Sequence, residues 1–467
     1  MLEYTPKEMI KRDSGGMINP AKTCQPISAM YAALGIHSCL PQSHGSQGCC
    51  SFHRMHLTRH FRDPIMASTS SFTEGASVFA GGANLKTSIK NVFAIYNPDV
   101  IAIHTTCLSE TIGDDIPTAI RQSEIPEGKV VFHANTPSYQ GSHITGFSNR
   151  TNAMVTYFSE TKLADGKKEN YANIIPGFVN PADIREIKRL TEEMGIKYIM
   201  FPDTSGVVDS PMTGKFEMYP SGGTTIPELK KTGDAKLTIS LGRFASQMAA
   251  ESLEKKGKIP FVSLKEPIGI KATDEFLMAL LGAFATEIPK SLECERGQLV
   301  DVMTDTHFHF HGKKVAIFGD PDVVTAMTEF CLSLGMLPVH VLTGTPGGAL
   351  GSGLGGFEQE VMAMLDEAGV CGNVKAAGDL FTLHQWIKNE PVDLLIGNTY
   401  GKYIARAACA VQRVCGNQID RLSDGMRCTV QTDRTTDNEA DASQTPDDKL
   451  SRRLQPRRRS LDCPQLS

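Results

Sequence analysis

The chain has 467 residues, 40% of them hydrophobic and 21% charged, with a formal net charge of −5. That length allows roughly three domains, the composition suits globular cores, and the acidic balance argues against general nucleic-acid binding. The opening segment, MLEYTPKEMIKRDSGG, is charged throughout and lacks the apolar core of a secretory signal. No apolar run is long enough to span a membrane, so the expected compartment is the reducing cytoplasm.

Residues 1–20 read as an irregular polar lead-in. From 21 to 36 (AKTCQPISAMYAALGI) small and apolar residues follow helical spacing after Pro26. Residues 40–48 (LPQSHGSQG) read as a loop rich in Gly, Ser and Pro. The next stretch, 49–61, reads as a helix whose His53, Arg54, His56, Arg59 and His60 form a basic face. From about 91 short β-rich runs recur: Val92–Tyr96, Val100–His104, Val130–His133, Tyr198–Phe201, Leu237–Leu241, Val315–Phe318, Val339–Leu342 and Leu394–Ile396. Amphipathic helical segments lie between many of them, including Pro181–Met194, Ser246–Lys255, Asp274–Thr286, Asp322–Leu334 and Phe357–Ala368. Alternating strands and helices predict an α/β fold of three doubly wound, Rossmann-like domains with parallel sheets. The expected divisions are 21–170, 171–300 and 301–406, followed by an atypical tail at 407–467. That tail has no Phe, Tyr or Trp and is rich in Arg, Asp, Thr, Ser and Gln, so it is expected to be disordered.

Twelve cysteines in a chain without an export signal point to metal binding, catalysis or burial rather than disulfides. Cys39, Cys294, Cys331 and Cys371 are expected to be buried apolar residues. Cys24, Cys49 and Cys107 each sit at a turn or element end, spaced by 25 and 58 residues. Cys107 follows directly on a strand, where α/β folds collect functional groups. Iron–sulfur clusters are commonly held by four thiolates. Three thiols are one short, which predicts a cluster at a subunit interface, with Ser138 as a supplementary oxygen ligand. Cys50 competes with Cys49, and composition does not choose between them.

Three other patterns have plainer readings. Asp301 and Asp305 would share a helix face, ordinarily a solvated acidic one. The GxGxxG at 351–356 is not placed directly after a strand, so it reads as a glycine-rich loop rather than a dinucleotide site. The alternating His307, His309 and His311 read as a lead into the strand at 315.

The segments INPAKTCQP (18–26), HGSQGC (44–49), RHFRDP (59–64), SSFTEGASVFAGG (70–82), HTTCLSETIGDD (104–115), TPSYQGSH (136–143), DVMTDTH (301–307) and IGNTYGKYI (396–404) together resemble the beta chains of nitrogenase molybdenum–iron proteins. The resemblance implies an oxidoreductase subunit that relays electrons from an ATP-dependent iron protein, through a P-cluster, to the iron–molybdenum cofactor of an alpha chain, where dinitrogen is reduced. It implies an α2β2 assembly in which Cys24, Cys49 and Cys107 are this chain's ligands to an [8Fe-7S] P-cluster and the alpha chain supplies the rest. It selects Cys49 over Cys50. Ser138 matches a serine that binds iron in the oxidised cluster. Phe79 matches the docking surface for the iron protein. Asp301 and Asp305 match an interfacial calcium or iron site between two beta chains, completed by the Arg62 carbonyl and residue 63; here that residue is Asp63 where Glu is expected in relatives. Two alternatives from the same superfamily are a cofactor-assembly scaffold and a subunit of a protochlorophyllide-type reductase. After Ala407 the resemblance stops, and the expectation is a frameshifted or otherwise aberrant coding end.

Overall fold

The computed structural model describes residues 5–10, 17–61, 64–161, 168–211, 213–346 and 356–406, with the backbone of 407–408 and 411–414. These residues belong to one compact unit, 1–428. The rest of the tail, from 415, lies outside the described residues, as does all of the glycine-rich run but Gly356.

Three parallel sheets follow one another along the chain. The first is built from α1 (Gln25–Leu34), β1 (Cys39–His44), α2 (Gln47–Thr58), β2 (Ser68–Thr69), α3 (Glu74–Phe79), α4 (Gly82–Tyr96), β3 (Val100–Thr105), α5 (Cys107–Ile112), α6 (Ile116–Arg121), β4 (Val130–Ala134) and α7 (His143–Phe158). Its strand order is β2-β1-β3-β4. The second holds β5 (Glu169–Ile175), α8 (Pro181–Glu193), β6 (Tyr198–Met200), α9 (Ile226–Lys231), β7 (Ala235–Leu241), α10 (Arg243–Gly257), β8 (Phe261–Leu264), α11 (Gly269–Phe284) and α12 (Lys290–Phe310), in the order β6-β5-β7-β8. The third holds β9 (Lys314–Gly319), α13 (Pro321–Ser333), β10 (Leu337–Thr343), α14 (Phe357–Glu367), β11 (Asn373–Lys375), α15 (Leu380–Asn389), β12 (Leu394–Gly397), α16 (Lys402–Ala408) and β13 (Val411–Val414). Its order is β11-β10-β9-β12-β13. Strand β13, past residue 406, pairs in parallel with β12.

The chain order of each sheet requires crossover helices, which cover both faces and bury the central strands. Every residue of β1 and β3 is buried, as expected for parallel strands covered on both sides. Four sequence expectations are corrected. The stretch 40–48 is not one loop, because Cys39–His44 is a central strand paired along its length with β3. Its Pro41 and polar residues disguise it, but Ser43 Oγ lies 2.7 Å from His104 Nε2 and Gln42 bonds Ser88. Val92–Tyr96 is the end of α4, because Leu85, Ile89, Val92 and Phe93 bury one stripe at helical spacing. Residues 307–310 close α12 instead of leading into a strand; four-residue spacing brings the His307 and His311 rings to 4.9 Å between centroids. Cys39 and Cys331 are buried as expected, whereas Cys294 and Cys371 are exposed.

A pair of buried carboxyls sits where the second and third layers meet. Asp322 accepts hydrogen bonds from the Phe244 and Ala245 amides at the start of α10, both at 3.0 Å. Glu266 is 1% exposed, and neither of its carboxylate oxygens has a partner among the described residues. A Cβ placed on Gly242 would lie 2.9 Å from Glu266 Oε1 and 3.0 Å from Asp322 Oδ2, so both acids close on one glycine. Burial raises Asp322 to about 7 against the pull of the two amides. Burial, then the charges of Asp322 and Asp183, holds Glu266 well above the carboxylate range. Both acids favour their protonated form when folded. The stability they contribute is present below about pH 4 and is lost as pH rises, through about 7 for Asp322. Urea midpoints of the chain are expected to fall more between about pH 5 and about pH 8 than those of Glu266→Gln, whose amide has no proton to lose. Parallel pH profiles would contradict this reading.

Candidate metal centre

Three helix starts position the three thiols. Cys24 precedes α1 in an extended conformation, and Pro26 in the first turn presets the helix. Cys49 is in the first turn of α2, which Ser46 caps by accepting from the Gly48 amide. Cys107 is the first residue of α5, capped by Thr106 and Ser109 in a reciprocal box. All three are half-buried free thiols.

The fold brings them together. Burial raises the Cys49 thiol first, and the charge and hydrogen bonding of Cys107 raise it further. Burial also raises Cys24, which feels the charges of both Cys49 and Cys107. Cys24 and Cys49 so placed resist ionising by themselves, because burial and neighbouring negative charge both oppose the thiolate. A bound metal cation reverses that preference, since a coordinating thiol is deprotonated outright. Among the described residues, no group of three His, Cys, Asp or Glu side chains is placed to hold a single ion. The thiols are therefore neighbours without forming a closed single-ion cage, an arrangement that fits a larger cluster completed by other ligands.

Polar contacts fasten the loops. The His44 carbonyl, at the end of β1, accepts from the Thr106 amide at 3.1 Å, the Thr106 hydroxyl at 3.1 Å and the Ser109 hydroxyl at 2.8 Å. This ties the loop before Cys49 to the turn that carries Cys107. The turn of Ser138 is held from two sides. Gln25, next to Cys24, donates to the carbonyls of Pro137 (3.1 Å) and Gln140 (3.0 Å). Thr136 donates two 2.7 Å hydrogen bonds to Thr105, from its amide to the Thr105 hydroxyl oxygen and from its own hydroxyl to the Thr105 carbonyl, two residues before Cys107. Ser138 itself is half-buried.

Cys50 points elsewhere: it is 5% exposed, and its thiol donates to the Ser68 carbonyl at 3.3 Å. His53 does not share a basic face with Arg54, Arg59 and His60. It is 2% exposed, and its Nε2 lies 3.4 Å from Cys24 Sγ. Burial, with His56 nearby, pushes it down to about 4, so the ring is neutral. The outward face of α2 carries Phe52 and Met55, 52% and 46% exposed, an apolar surface beside the thiols of the sort partners cover.

The wider site residues are dispersed. Phe79 ends α3 and is 85% exposed, so it is not a core residue. The Gly81 amide donates to Asp114 at 2.9 Å, and Asp114 pairs with buried His44 at 3.0 Å, linking this surface segment to the thiol-bearing loops. The Asp114 carboxylate can only accept, so it takes the His44 Nε2–H, which leaves Nδ1 of the neutral ring to accept from the Ser70 hydroxyl, whose oxygen also accepts from the Gly45 amide. Asp301 and Asp305 are both exposed on α12. Arg62 and Asp63 lie outside the described residues.

Sequence reasoning missed Gln25, His44, His53, Thr105, Thr106 and Thr136. Some signal existed for Gln25, the one amide in a helix otherwise of small, apolar and aromatic residues. None existed for His53, whose inward direction depends on how α2 packs.

Comparison with known proteins places the chain in a family. The family model described as nitrogenase component 1 type oxidoreductase matches residues 24–430. The nitrogenase molybdenum–iron protein beta chain of Clostridium pasteurianum is 61% identical over 411 residues, 87% of each chain. That of Azotobacter vinelandii is 39% identical over 400 residues, 83% of this chain and 75% of the relative. A solved structure described as "Nitrogenase Cp1 at pH 6.5" superposes with a TM-score of 0.85 at 58% identity, covering 91% of this chain and 92% of the other. These matches favour the beta-chain reading over the assembly scaffold and the protochlorophyllide-type reductase. The chain belongs to the nitrogenase component 1 type oxidoreductase family, and its likeness to the molybdenum–iron protein beta chains runs through most of its length.

Proposed function

We propose that this chain relays electrons in nitrogenase, with Cys24, Cys49 and Cys107 as its ligands to an [8Fe-7S] P-cluster shared with an alpha chain. The observation that carries the reading is that three thiols from three separate loops lie within electrostatic reach of one another, with no single-ion cage among the described residues. When bound, such a cluster supplies reversible one-electron chemistry. The chain's own residues hold the ligands in place: the His44 carbonyl and Thr106 set the spacing of two loops, and Gln25 and Thr136 hold the Ser138 turn against them. Ser138 is the oxygen ligand of the oxidised state, since a hard donor favours more oxidised iron. Dinitrogen is reduced at the iron–molybdenum cofactor of the alpha chain, so no acid–base catalyst is assigned here. The assembly is an α2β2 tetramer in the cytoplasm. No helix among the described residues is long and apolar enough to cross a membrane. Asp301 and Asp305, with the Arg62 carbonyl and Asp63, are the oxygen ligands of a calcium or iron ion between beta chains.

Anaerobic co-purification with an alpha chain, with iron counted and spectra taken, tests the assignment. A complex without a multi-iron cluster would refute it. The iron protein docks over Phe79. Because that ring is exposed, Phe79→Ala is expected to leave the melting temperature unchanged within about 0.5 kcal/mol of stability. Removing an aromatic anchor costs about 2 kcal/mol of docking, so electron delivery at subsaturating iron protein should fall roughly thirtyfold. Unchanged dependence on iron-protein concentration would remove Phe79 from the docking surface.

A further inference from the structure

We infer that His53 is a positioning residue for the cluster, donating its Nε2–H to Cys24 Sγ and so raising the reduction potential of the group that Cys24 ligates. This rests on the cluster reading above. His53 lies one helical turn beyond Cys49 on α2, so one helix carries a ligand and, on the same side, the ring that meets a second ligand. The Nε2–Sγ separation is 3.4 Å, within range for a sulfur acceptor. At 2% exposure the ring is shielded from solvent, so water does not compete for the contact.

The direction of the bond follows from the ring's two nitrogens. Nδ1 has no hydrogen-bond partner among the described residues, while Nε2 faces the sulfur. A proton on Nδ1 would leave a buried donor unsatisfied. On Nε2 it meets a metal-bound thiolate, which keeps lone pairs and accepts. The tautomer with Nε2–H is therefore favoured. Ring contacts hold the imidazole in place, with centroids 6.1 Å from Phe52 and 6.5 Å from His104. Donation to a ligating sulfur withdraws charge from it and favours the electron-rich state of the cluster; hydrogen bonds to sulfur are among the factors that set iron–sulfur potentials.

Two substitutions in the full complex separate donation from packing. His53→Phe keeps a ring of similar size without a donor, and His53→Gln keeps an N–H. Potentiometric titration followed by EPR, with iron counted in parallel, is the readout. His53→Phe is expected to move the cluster's midpoint negative by about a tenfold change in its one-electron equilibrium, about 59 mV, while His53→Gln stays near wild type. If His53→Phe fails to retain iron while His53→Gln loads at the wild-type potential, the donor is still what separates them and the inference stands. Equal behaviour of the two variants, whether both unchanged, both shifted or both empty of iron, overturns it. That result leaves the ligand assignment intact, whereas a wild-type complex without a multi-iron cluster overturns the cluster reading and this inference with it.

Discussion

Replacing Cys107 with alanine is expected to abolish the multi-iron signal of the anaerobically purified complex while leaving the first sheet folded. Cys107 is the first residue of α5, and its thiol lies close enough to Cys49 to hydrogen-bond it and oppose its ionisation. Alanine keeps the helix start, since it is a strong helix former and the Thr106–Ser109 box does not involve residue 107. The chain's own stability should therefore change by no more than about 1 kcal/mol. On the proposed ligand assignment the cluster would lose a thiolate that Cys50 does not replace, because Cys50 is turned to the Ser68 carbonyl. Iron per complex and the EPR spectrum are the measurements. A cluster that persists at wild-type occupancy would refute the assignment of Cys107.

The second large effect is expected from Gly45→Ala. Gly45 has φ of +145°, a conformation that side-chain-bearing residues rarely adopt. A Cβ there would lie 1.9 Å from Thr106 Oγ1 and 3.1 Å from Thr106 Cβ. Thr106 cannot simply turn away, because its hydroxyl donates to the His44 carbonyl. Overpacking and backbone strain together should cost about 3 kcal/mol. The displaced atoms join the loop before Cys49 to the turn that carries Cys107, so iron retention should fall along with thermal stability. Gly48→Ala is the control: a Cβ there meets only Ser46 Oγ, at 3.6 Å, and the position lies in the first turn of α2. If the two variants melt alike, the steric account is wrong.

Much of the α/β pattern was legible because helix and strand leave different periods in the residues. The stripe of Ile184, Ile187 and Leu190 in α8 and the apolar run of β3 are visible without a structure. Strand β1 was not, because Gln42, Ser43 and His44 look like loop residues until their buried partners are known. Val92–Tyr96 taken alone is rich in β-branched and aromatic residues, and its helical period shows only with the stripe that begins at Leu85. The basic neighbours of His53 predict a shared basic face, yet the ring turns inward to Cys24. Gly45 and Thr106 carried no separate signal, since their contact joins two strands far apart in sequence.

The sequence by itself determined the ingredients: thiols at element ends, a serine after a Thr-Pro turn, an apolar ring among flexible residues, and the alternation that demands parallel sheets. These are local properties of composition and spacing. Only the tertiary structure decided that Cys24, Cys49 and Cys107 come within electrostatic reach of one another, that Cys50 turns away, and that His53 touches a thiol rather than solvent. The reason is physical. Parallel pairing of β1 with β3 brings the ends of those two strands to one edge of the sheet, and the hydrogen bonds of His44 and Gln25 then draw the three loops together. Spacing along the chain cannot specify contacts that depend on which strands lie side by side.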